Sequence, residues 1–271
     1  MRTKYRKPYR VKRKKSILKS RFFWLILMIL FFLGAVFYLL IFSSYFQVEK
    51  ILISGNEKVP KEVIESLIRD NLKRKILFLP TQSIFVIDFK KINEIILNNI
   101  PGIAEVKTVR EFPNILNIIV KERVGIALWC QEENYCFLID KEGVIFEPIL
   151  EELKLEKNLP KIIDRKNNSF TIDDLGKKIV IEKDYLEKIF KIQKYIQEEI
   201  KIEIEEFIAF SQRLNVKTVE GWEIYFNPSE DINWQLTKLK LVLEEKIPPE
   251  KRKDLEYIEL RFGDLATFRY R

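Results

Sequence analysis

The segment Phe22–Phe42, FFWLILMILFFLGAVFYLLIF, runs for twenty-one residues without a charged side chain. At a rise of 1.5 Å per residue, a helix of this length extends about 31 Å, which matches the hydrocarbon core of a bilayer. A cleaved signal peptide is the alternative, but its apolar region is shorter and ends at a small-residue cleavage site. The segment therefore predicts a transmembrane helix over residues 22–42.

The charges on either side of this segment predict its orientation. Residues 1–21 hold eleven Lys and Arg and no acidic residue, whereas the following SSYFQVEK is nearly neutral. By the positive-inside rule the tail 1–21 is cytoplasmic and the body is extracytoplasmic, so the chain is a single-pass protein of the cell membrane. The formal net charge of +8 belongs to the tail, because the remaining residues carry 37 basic against 40 acidic groups.

We interpret the basic tail as a topology signal that also contacts anionic membrane lipids. A nucleic-acid-binding arm is physically possible, since Lys and Arg neutralise phosphates. No basic face or RNA-binding aromatic motif accompanies the tail in the rest of the sequence. No nucleic-acid partner is therefore expected.

The composition argues against catalysis. The chain has no histidine, and its eight glycines are scattered without a phosphate-binding loop. Adjacent carboxylates occur at residues 173–174, 205–206 and 244–245, but neighbours on a helix or strand point away from one another. We expect no enzyme activity, no small-molecule substrate, no cofactor and no metal.

Two cysteines, Cys130 and Cys136, flank the polar stretch QEENY between two apolar segments. This pattern predicts a β-hairpin whose facing residues could reach disulfide distance. An oxidising exterior would permit that bond, and two buried free thiols are the alternative. Two thiols without a histidine make a metal site a poor interpretation.

Hydrophobic periodicity predicts β-α-α-β-β over residues 46–122. The strands are FQVEKILISG, IAEVKTVREF and NILNIIVKER, the helices are VPKEVIESLIRDNL and DFKKINEIILNNI, and KRKILFLP is predicted as a loop. Residues 123–271 then read as a hairpin, a helix, three strands, a helix capped by Ser229 and a closing strand pair. The pattern predicts an α+β fold of two domains.

This order resembles the POTRA domain, and the whole chain resembles the FtsQ/DivIB family of bacterial division proteins. The resemblance rests on VEKILISGNEKV, on the run from NNIPGIAEV through EFPNI to KERVGIALW, and on YCFLIDKEGVIFE. Departures are Gly102 in place of an aromatic, Gly125 in place of a proline, and Glu259 in place of an aspartate. The resemblance implies an N-terminal transmembrane helix, a POTRA domain at 46–122 and an antiparallel β-domain with covering helices at 123–271.

The closing segment LEYIELRFGDLATFRYR predicts an open sheet edge. Ile258, Leu260 and Phe262 alternate onto one face, which we expect to pack against the helices. A last strand has a free row of backbone groups to which a partner can add a strand. The alternative is an inert edge blunted by Arg269 and Arg271.

The resemblance implies what this edge binds. In FtsQ-like proteins this region binds the coiled-coil division proteins FtsB and FtsL, and the matching positions here are Phe262, Asp264, Leu265 and Tyr270. The implied role is a non-enzymatic scaffold at the division septum that links cytoplasmic division components to septal wall synthesis. A POTRA-bearing secretion or outer-membrane assembly component, which guides unfolded strands, is the alternative function.

Overall fold

The computed structural model describes residues 21–76, 78–132, 135–149, 159–165 and 171–271. The predicted basic tail, apart from Arg21, lies outside the described residues. Among the described residues the chain divides into two compact units, one within residues 21–52, 69–88 and 109–117 and the other within residues 53–68, 89–108 and 118–271. The helices are α1 (Arg21–Phe42), α2 (Lys61–Leu72), α3 (Phe89–Asn99), α4 (Lys183–Lys194) and α5 (Ile232–Glu245).

Two sheets and a separate hairpin contain the strands. A three-stranded sheet has the order β1-β5-β4, and a nine-stranded sheet has the order β14-β13-β12-β11-β10-β9-β6-β7-β8. The hairpin consists of β2 and β3. The strands are β1 (Lys50–Ser54), β2 (Arg74–Ile76), β3 (Leu79–Thr81), β4 (Ile103–Glu111), β5 (Ile115–Glu122), β6 (Ala127–Glu132), β7 (Tyr135–Ile139), β8 (Ile145–Ile149), β9 (Lys161–Asp164), β10 (Ile204–Ala209), β11 (Leu214–Thr218), β12 (Glu223–Phe226), β13 (Leu255–Glu259) and β14 (Thr267–Tyr270).

Helix α1 confirms the predicted apolar helix. By length and composition it could cross a membrane. Its side chains are exposed for most of its length and only Ile41, in the last turn, is buried. An apolar helix that the protein itself leaves uncovered needs another apolar environment.

The predicted β-α-α-β-β order is present, with one addition between the helices. The stretch predicted as a loop, KRKILFLP, contains the hairpin β2–β3, in which Arg74 pairs with Thr81 and Ile76 with Leu79. The loop prediction was wrong because strands of three residues are too short to show an alternation of polar and apolar side chains.

The large sheet is mixed, whereas an antiparallel sheet was expected. The pairs β6–β9, β9–β10 and β12–β13 are parallel, and the other pairs are antiparallel. For β9–β10 and β12–β13 the reason lies in the connections, since α4 follows β9 and precedes β10, and α5 follows β12 and precedes β13. A strand–helix–strand crossover brings the second strand in parallel to the first.

Helices α4 and α5 bury their apolar faces in the core of this sheet. The core includes Trp129 and Phe226 on the strands and Trp222 just before β12. It also includes apolar side chains at helical spacing on α4 and α5, among them Leu186, Ile189, Leu236, Leu239 and Leu243. The predicted cap of α5 was wrong, because the helix begins after Asp231, whose carboxylate accepts a hydrogen bond from the Asn233 N–H at 2.8 Å.

Cys130 and Cys136 face each other on β6 and β7 and are joined in a disulfide. The bond closes the hairpin at the position where its two strands are in register. Cys130 is buried.

Glu122, from the KER motif, organises the turn that precedes α2. Its carboxylate accepts hydrogen bonds from the backbone N–H groups of Glu57, Lys58 and Val59 at 2.7–3.0 Å. Partial burial acts to raise the pKa of the Glu122 carboxyl, but these N–H groups and the Lys58 charge outweigh it and hold the pKa below its ordinary value.

We therefore expect Glu122→Gln to destabilise the protein by about 1–2 kcal/mol at pH 7. A carboxyl whose folded-state pKa is depressed stabilises the fold above its unfolded pKa, about 4.5, and loses that contribution as the pH falls. The difference between the two proteins should shrink below about pH 4.5, as measured by urea denaturation across a pH series. A difference that stays constant from pH 7 to pH 3 would contradict this role of the charge.

Arg123, the next residue, makes a buried ion pair with Asp140. The same guanidinium donates to the carbonyl oxygens of Pro101 at 3.1 Å and Gly176 at 3.0 Å. Asp140 in turn accepts the N–H groups of Glu142 and Val144, both at 3.0 Å, and so shapes the turn between β7 and β8. One arginine thus ties three segments together.

The turn after Asp140 also explains the glycine of the IDKEG motif. Gly143 has a φ of +76°, and a Cβ there would lie 1.9 Å from the carbonyl oxygen of Ile181. Only glycine fits this conformation and this close approach. The motif therefore specifies a turn in the structure.

Candidate functional site

The two outer strands of the large sheet, β8 and β14, differ in how open they are. β8 contains Pro148, which has no N–H to offer. The N–H and C=O of Ile145 are also taken, because they bond to the Lys178 C=O at 3.3 Å and the Gly176 N–H at 2.7 Å. Edge β8 is thus covered in part, as natural sheets often manage their edges.

Strand β14 is open on its outer side within the part of the chain that the structure describes. It pairs antiparallel with β13, from Leu255 opposite Tyr270 to Glu259 opposite Thr267. The Arg271 N–H points toward β13, since it donates to the Asp254 C=O at 2.9 Å. Because backbone groups alternate along a strand, the N–H and C=O of Phe268 and Tyr270 face outward.

Arg269 and Arg271, the two residues of the inert-edge alternative, both contact other residues of the protein. Arg269 Nε lies 2.9 Å from the Glu256 carboxylate on the neighbouring strand. The guanidinium of Arg271 donates to the carbonyl oxygen of Gly221. Each charge is therefore held by an intramolecular partner.

The predicted site residues lie in two places. Phe262, Asp264 and Leu265 lie in the turn between β13 and β14, and Tyr270 lies on β14. Phe262 is 62% exposed and Leu265 69% exposed. Phe268 is partly buried against the core, and its ring meets that of Tyr270 edge to face at 5.6 Å.

The expectation that Phe262 packs beneath the helices was wrong. Ile258 and Leu260 are fully buried, as predicted, but β13 ends at Glu259 and the chain curls away before residue 262. Gly263 adopts a φ of +45° in this turn. Strand alternation no longer applies there, so Phe262 faces outward.

Lys238 on α5 holds the turn in this shape. Its ammonium group donates to the carbonyl oxygens of Leu260 at 2.7 Å, Gly263 at 2.7 Å and Leu265 at 3.2 Å. A lysine has three N–H donors, and all three find an acceptor here. The residue is buried.

Burial lowers the pKa of Lys238, whereas the nearby carboxylates of Glu230, Asp264 and Glu259 act in the opposite direction. Trp234, one turn earlier on α5, adds a second tie by donating its indole N–H to the Asp264 carboxylate at 3.1 Å. The turn that carries Phe262 and Leu265 is thus preorganised by one face of a helix.

Lys238 and Trp234 were not predicted from the sequence as part of the site. Helical spacing contained a signal, because Lys238 lies next to Leu239 and three residues after Gln235, and all three are buried. Gln235 also uses its buried amide, which exchanges hydrogen bonds with the backbone of Asn227 at 2.8 and 2.9 Å. A helical-wheel projection of α5 would have placed Lys238 on the buried face. A lysine there needs a hydrogen-bond acceptor nearby.

Glu259 pairs with Arg261. The contact is bidentate, at 2.8 Å to Nε and 2.5 Å to Nη2. The Arg261 guanidinium also lies 5.2 Å from the centre of the Phe262 ring. Arg261 thus contacts the last residue of β13 and the residue after itself, and these contacts order the segment that follows β13.

Several of the adjacent carboxylates have partners on the protein. Glu205 and Glu206 pair with Lys217, at 3.1 and 3.6 Å, and Asp174 accepts the Thr171 N–H at 2.8 Å. Across the residues that the structure describes, no three His, Cys, Asp or Glu side chains group as a metal ion would require.

Two family models match the chain. Residues 46–123 match the POTRA domain, FtsQ-type, and residues 127–261 match the C-terminal part of cell division protein FtsQ/DivIB. The chain belongs to the FtsQ/DivIB family. The fold of this family member is accordingly a POTRA domain plus a C-terminal β-domain, with one apolar helix ahead of them.

Curated members of the FtsQ/DivIB family are similar over part of this chain. Cell division protein DivIB of Clostridium botulinum is 29% identical over 167 residues, 62% of this chain and 58% of that protein. DivIB of Clostridium acetobutylicum is 33% identical over 103 residues, 38% of this chain and 37% of that protein. Cell division protein FtsQ of Syntrophotalea carbinolica is 27% identical over 139 residues, 50% of this chain and 45% of that protein. Each match spans less than two thirds of the relative's own length.

Proposed function

We propose that the chain is a non-enzymatic scaffold of the division machinery that binds FtsB-like and FtsL-like coiled-coil proteins by strand addition at β14. The observation that carries the proposal is the difference between the two sheet edges. β8 is partly covered by Pro148 and by the bonds of Ile145 to residues 176 and 178, whereas β14 offers outward N–H and C=O groups. An added strand would gain backbone hydrogen bonds there and side-chain contacts at alternate positions.

The exposed side chains beside β14 support a specific contact. Phe262 and Leu265 are large, apolar and exposed, in a turn fixed by Lys238. Preorganised apolar anchors beside a strand edge lower the entropy cost of binding. Arg269 and Arg271 each have a partner within the protein. This argues against the alternative of an inert edge, in which their charges would keep other strands away.

The orientation in the membrane belongs to the same proposal. With α1 as the anchor, the cationic residues of 1–21 remain in the cytoplasm and residues 44–271 lie outside, at the septum. The scaffold would then connect the cytoplasmic side with wall synthesis through a POTRA domain at 46–122 and a β-domain at 123–271. The FtsQ-type POTRA match favours this division role over the secretion or outer-membrane assembly alternative.

Substitution Tyr270→Pro tests strand addition, because it removes an N–H that points away from β13. Edge strands tolerate a proline whose missing N–H faces solvent. We expect the fold to remain intact by circular dichroism and the Kd for the extracytoplasmic segment of the organism's FtsB-like protein to rise about tenfold to a hundredfold.

The matched control is Tyr270→Ala, which removes the ring but keeps the N–H. If the backbone carries the binding, the alanine variant binds more tightly than the proline variant. Equal binding by wild type and Tyr270→Pro, measured by titration of the purified full-length proteins, would rule out strand addition at this edge.

A further inference from the structure

We propose that the hairpin β2–β3 is a second membrane contact, which places its apolar tip and its basic residues in the lipid headgroup region beside α1. The proposal rests on the membrane anchoring by α1 proposed above. The partner that the hairpin contacts is the anionic surface of the bilayer. The residues that carry it are Lys73, Arg74, Lys75, Phe78 and Leu79.

The base of the hairpin is fixed to the end of α1. Thr81, the last residue of β3, donates its hydroxyl to the Ile41 carbonyl at 2.6 Å. Ser83 donates its hydroxyl to the Leu40 carbonyl at 2.8 Å. The last carbonyl groups of a helix lack partners within the helix, so these bonds complete its C-terminal turn.

Gln47 strengthens the same connection. Its side-chain amide donates to the Ile41 carbonyl at 2.9 Å and accepts the Gln82 N–H at 2.7 Å. An isolated bridge also pairs Gln47 with Ser83. Residues 81–83 are therefore held at the level where α1 would leave the hydrocarbon core.

The tip of the hairpin is close to that level. Phe78 is three residues from Thr81, which corresponds to about 10 Å of extended chain. The interfacial layer on each side of the core is about 5–8 Å thick, and interfacial segments bury their apolar side chains to a similar depth. The tip can reach this layer without unfolding of the hairpin.

The side chains at the tip suit that layer and are poorly suited to water. Phe78 is 97% exposed, and the neighbouring Leu79 is about half exposed. Residues 69–88 contain four basic and two acidic side chains, and three of the basic residues are consecutive at 73–75. Arg74 pairs with Asp88 at 3.4 Å, a partly exposed contact that leaves the segment with a net positive charge.

Aromatic rings extend the same apolar surface. Phe46, four residues after α1, meets Phe85 at 5.2 Å, and Phe85 meets Phe112 at 5.4 Å. Phe112 is 61% exposed, and Tyr45 is also exposed. Aromatic side chains beside the end of a membrane helix are typical of the interfacial layer.

The test uses full-length protein in vesicles of phosphatidylethanolamine and phosphatidylglycerol. A Phe78→Cys variant carries an environment-sensitive fluorophore, since Cys130 and Cys136 are tied up with each other. We expect a blue shift and strong quenching by headgroup-region nitroxide lipids. The control is Val124→Cys, which is 72% exposed and lies beyond the opposite end of β5 from Phe112. Equal quenching at both positions would overturn the proposal.

The charge contribution is tested by Lys73→Gln combined with Lys75→Gln. We expect the ratio of inserted to free label to fall about fivefold for each charge removed. Vesicles without phosphatidylglycerol should give a similar loss. Lys90→Gln combined with Lys91→Gln on α3 removes the same net charge and should leave the ratio unchanged. An equal effect of both pairs would show that the hairpin charges have no specific role.

Flotation with the vesicles separates this proposal from the anchoring on which it rests. Failure of wild-type protein to float would reject α1 as an anchor. Normal flotation with an unquenched label at residue 78 rejects the hairpin contact alone. A label that is shielded only after the FtsB-like segment is added would also reject it, because the hairpin would then bind a protein.

Discussion

Replacement of Arg123 by alanine is expected to lower the free energy of unfolding by about 3–5 kcal/mol. The guanidinium is buried against the Asp140 carboxylate, and its side chain is only 10% exposed. Without it, Asp140 keeps a buried negative charge and the carbonyl groups of Pro101 and Gly176 lose their donor. The loss should appear in urea denaturation followed by the fluorescence of the buried Trp129 and Trp222.

Two matched variants sharpen this result. Lys121→Ala removes a neighbouring cation whose 2.9 Å pair with Glu105 is exposed and screened by solvent, so it should change the free energy of unfolding little. The double variant Arg123→Leu with Asp140→Leu should be less destabilised than either single substitution, because it leaves no uncompensated charge. Equal costs for Arg123→Ala and Lys121→Ala would contradict the role of the buried pair.

Replacement of Lys238 by methionine is expected to release the turn between β13 and β14 at a cost of about 2–4 kcal/mol. Methionine keeps the length of the side chain but cannot donate to the three carbonyl groups that the ammonium now serves. The turn would then sample other conformations, and Phe262 and Leu265 would lose their fixed positions. Binding of the FtsB-like segment should weaken at least about tenfold, since the turn must be ordered again on binding.

Hydrogen exchange of the backbone N–H groups of residues 260–265 reports this release directly. The matched control is Lys240→Met on the same helix, where the lysine is exposed and 3.9 Å from Glu244. That variant should change neither the exchange rates nor the binding. Unaltered exchange in Lys238→Met would show that the turn is stable without its lysine.

Local periodicity was sufficient to predict most elements. The 3.6-residue spacing of Ile92 and Ile96 identified α3, and the uncharged run after the tail identified α1. The open edge at β14 also followed from local alternation, since it required only the order of the last strands. The family resemblance rested on short motifs whose turns are equally local.

Local periodicity could not predict contacts between residues that are distant in the sequence. Arg123 and Asp140 are 17 positions apart, and Arg123 and Gly176 are 53 apart, so no local pattern links them. The parallel pairs β9–β10 and β12–β13 likewise depend on the path of α4 and α5 over the sheet. Phe262 was placed on the wrong face because the strand ends three residues before it, in a turn held by the distant Lys238.

The unequal edges of the large sheet also limit self-association. Growth of a sheet from copy to copy in one direction requires β14 of one molecule to pair with β8 of the next. Pro148 and the bonds of Ile145 to residues 176 and 178 leave β8 with few free backbone groups for such pairing. Growth of an open-ended filament through this pair of edges is therefore disfavoured.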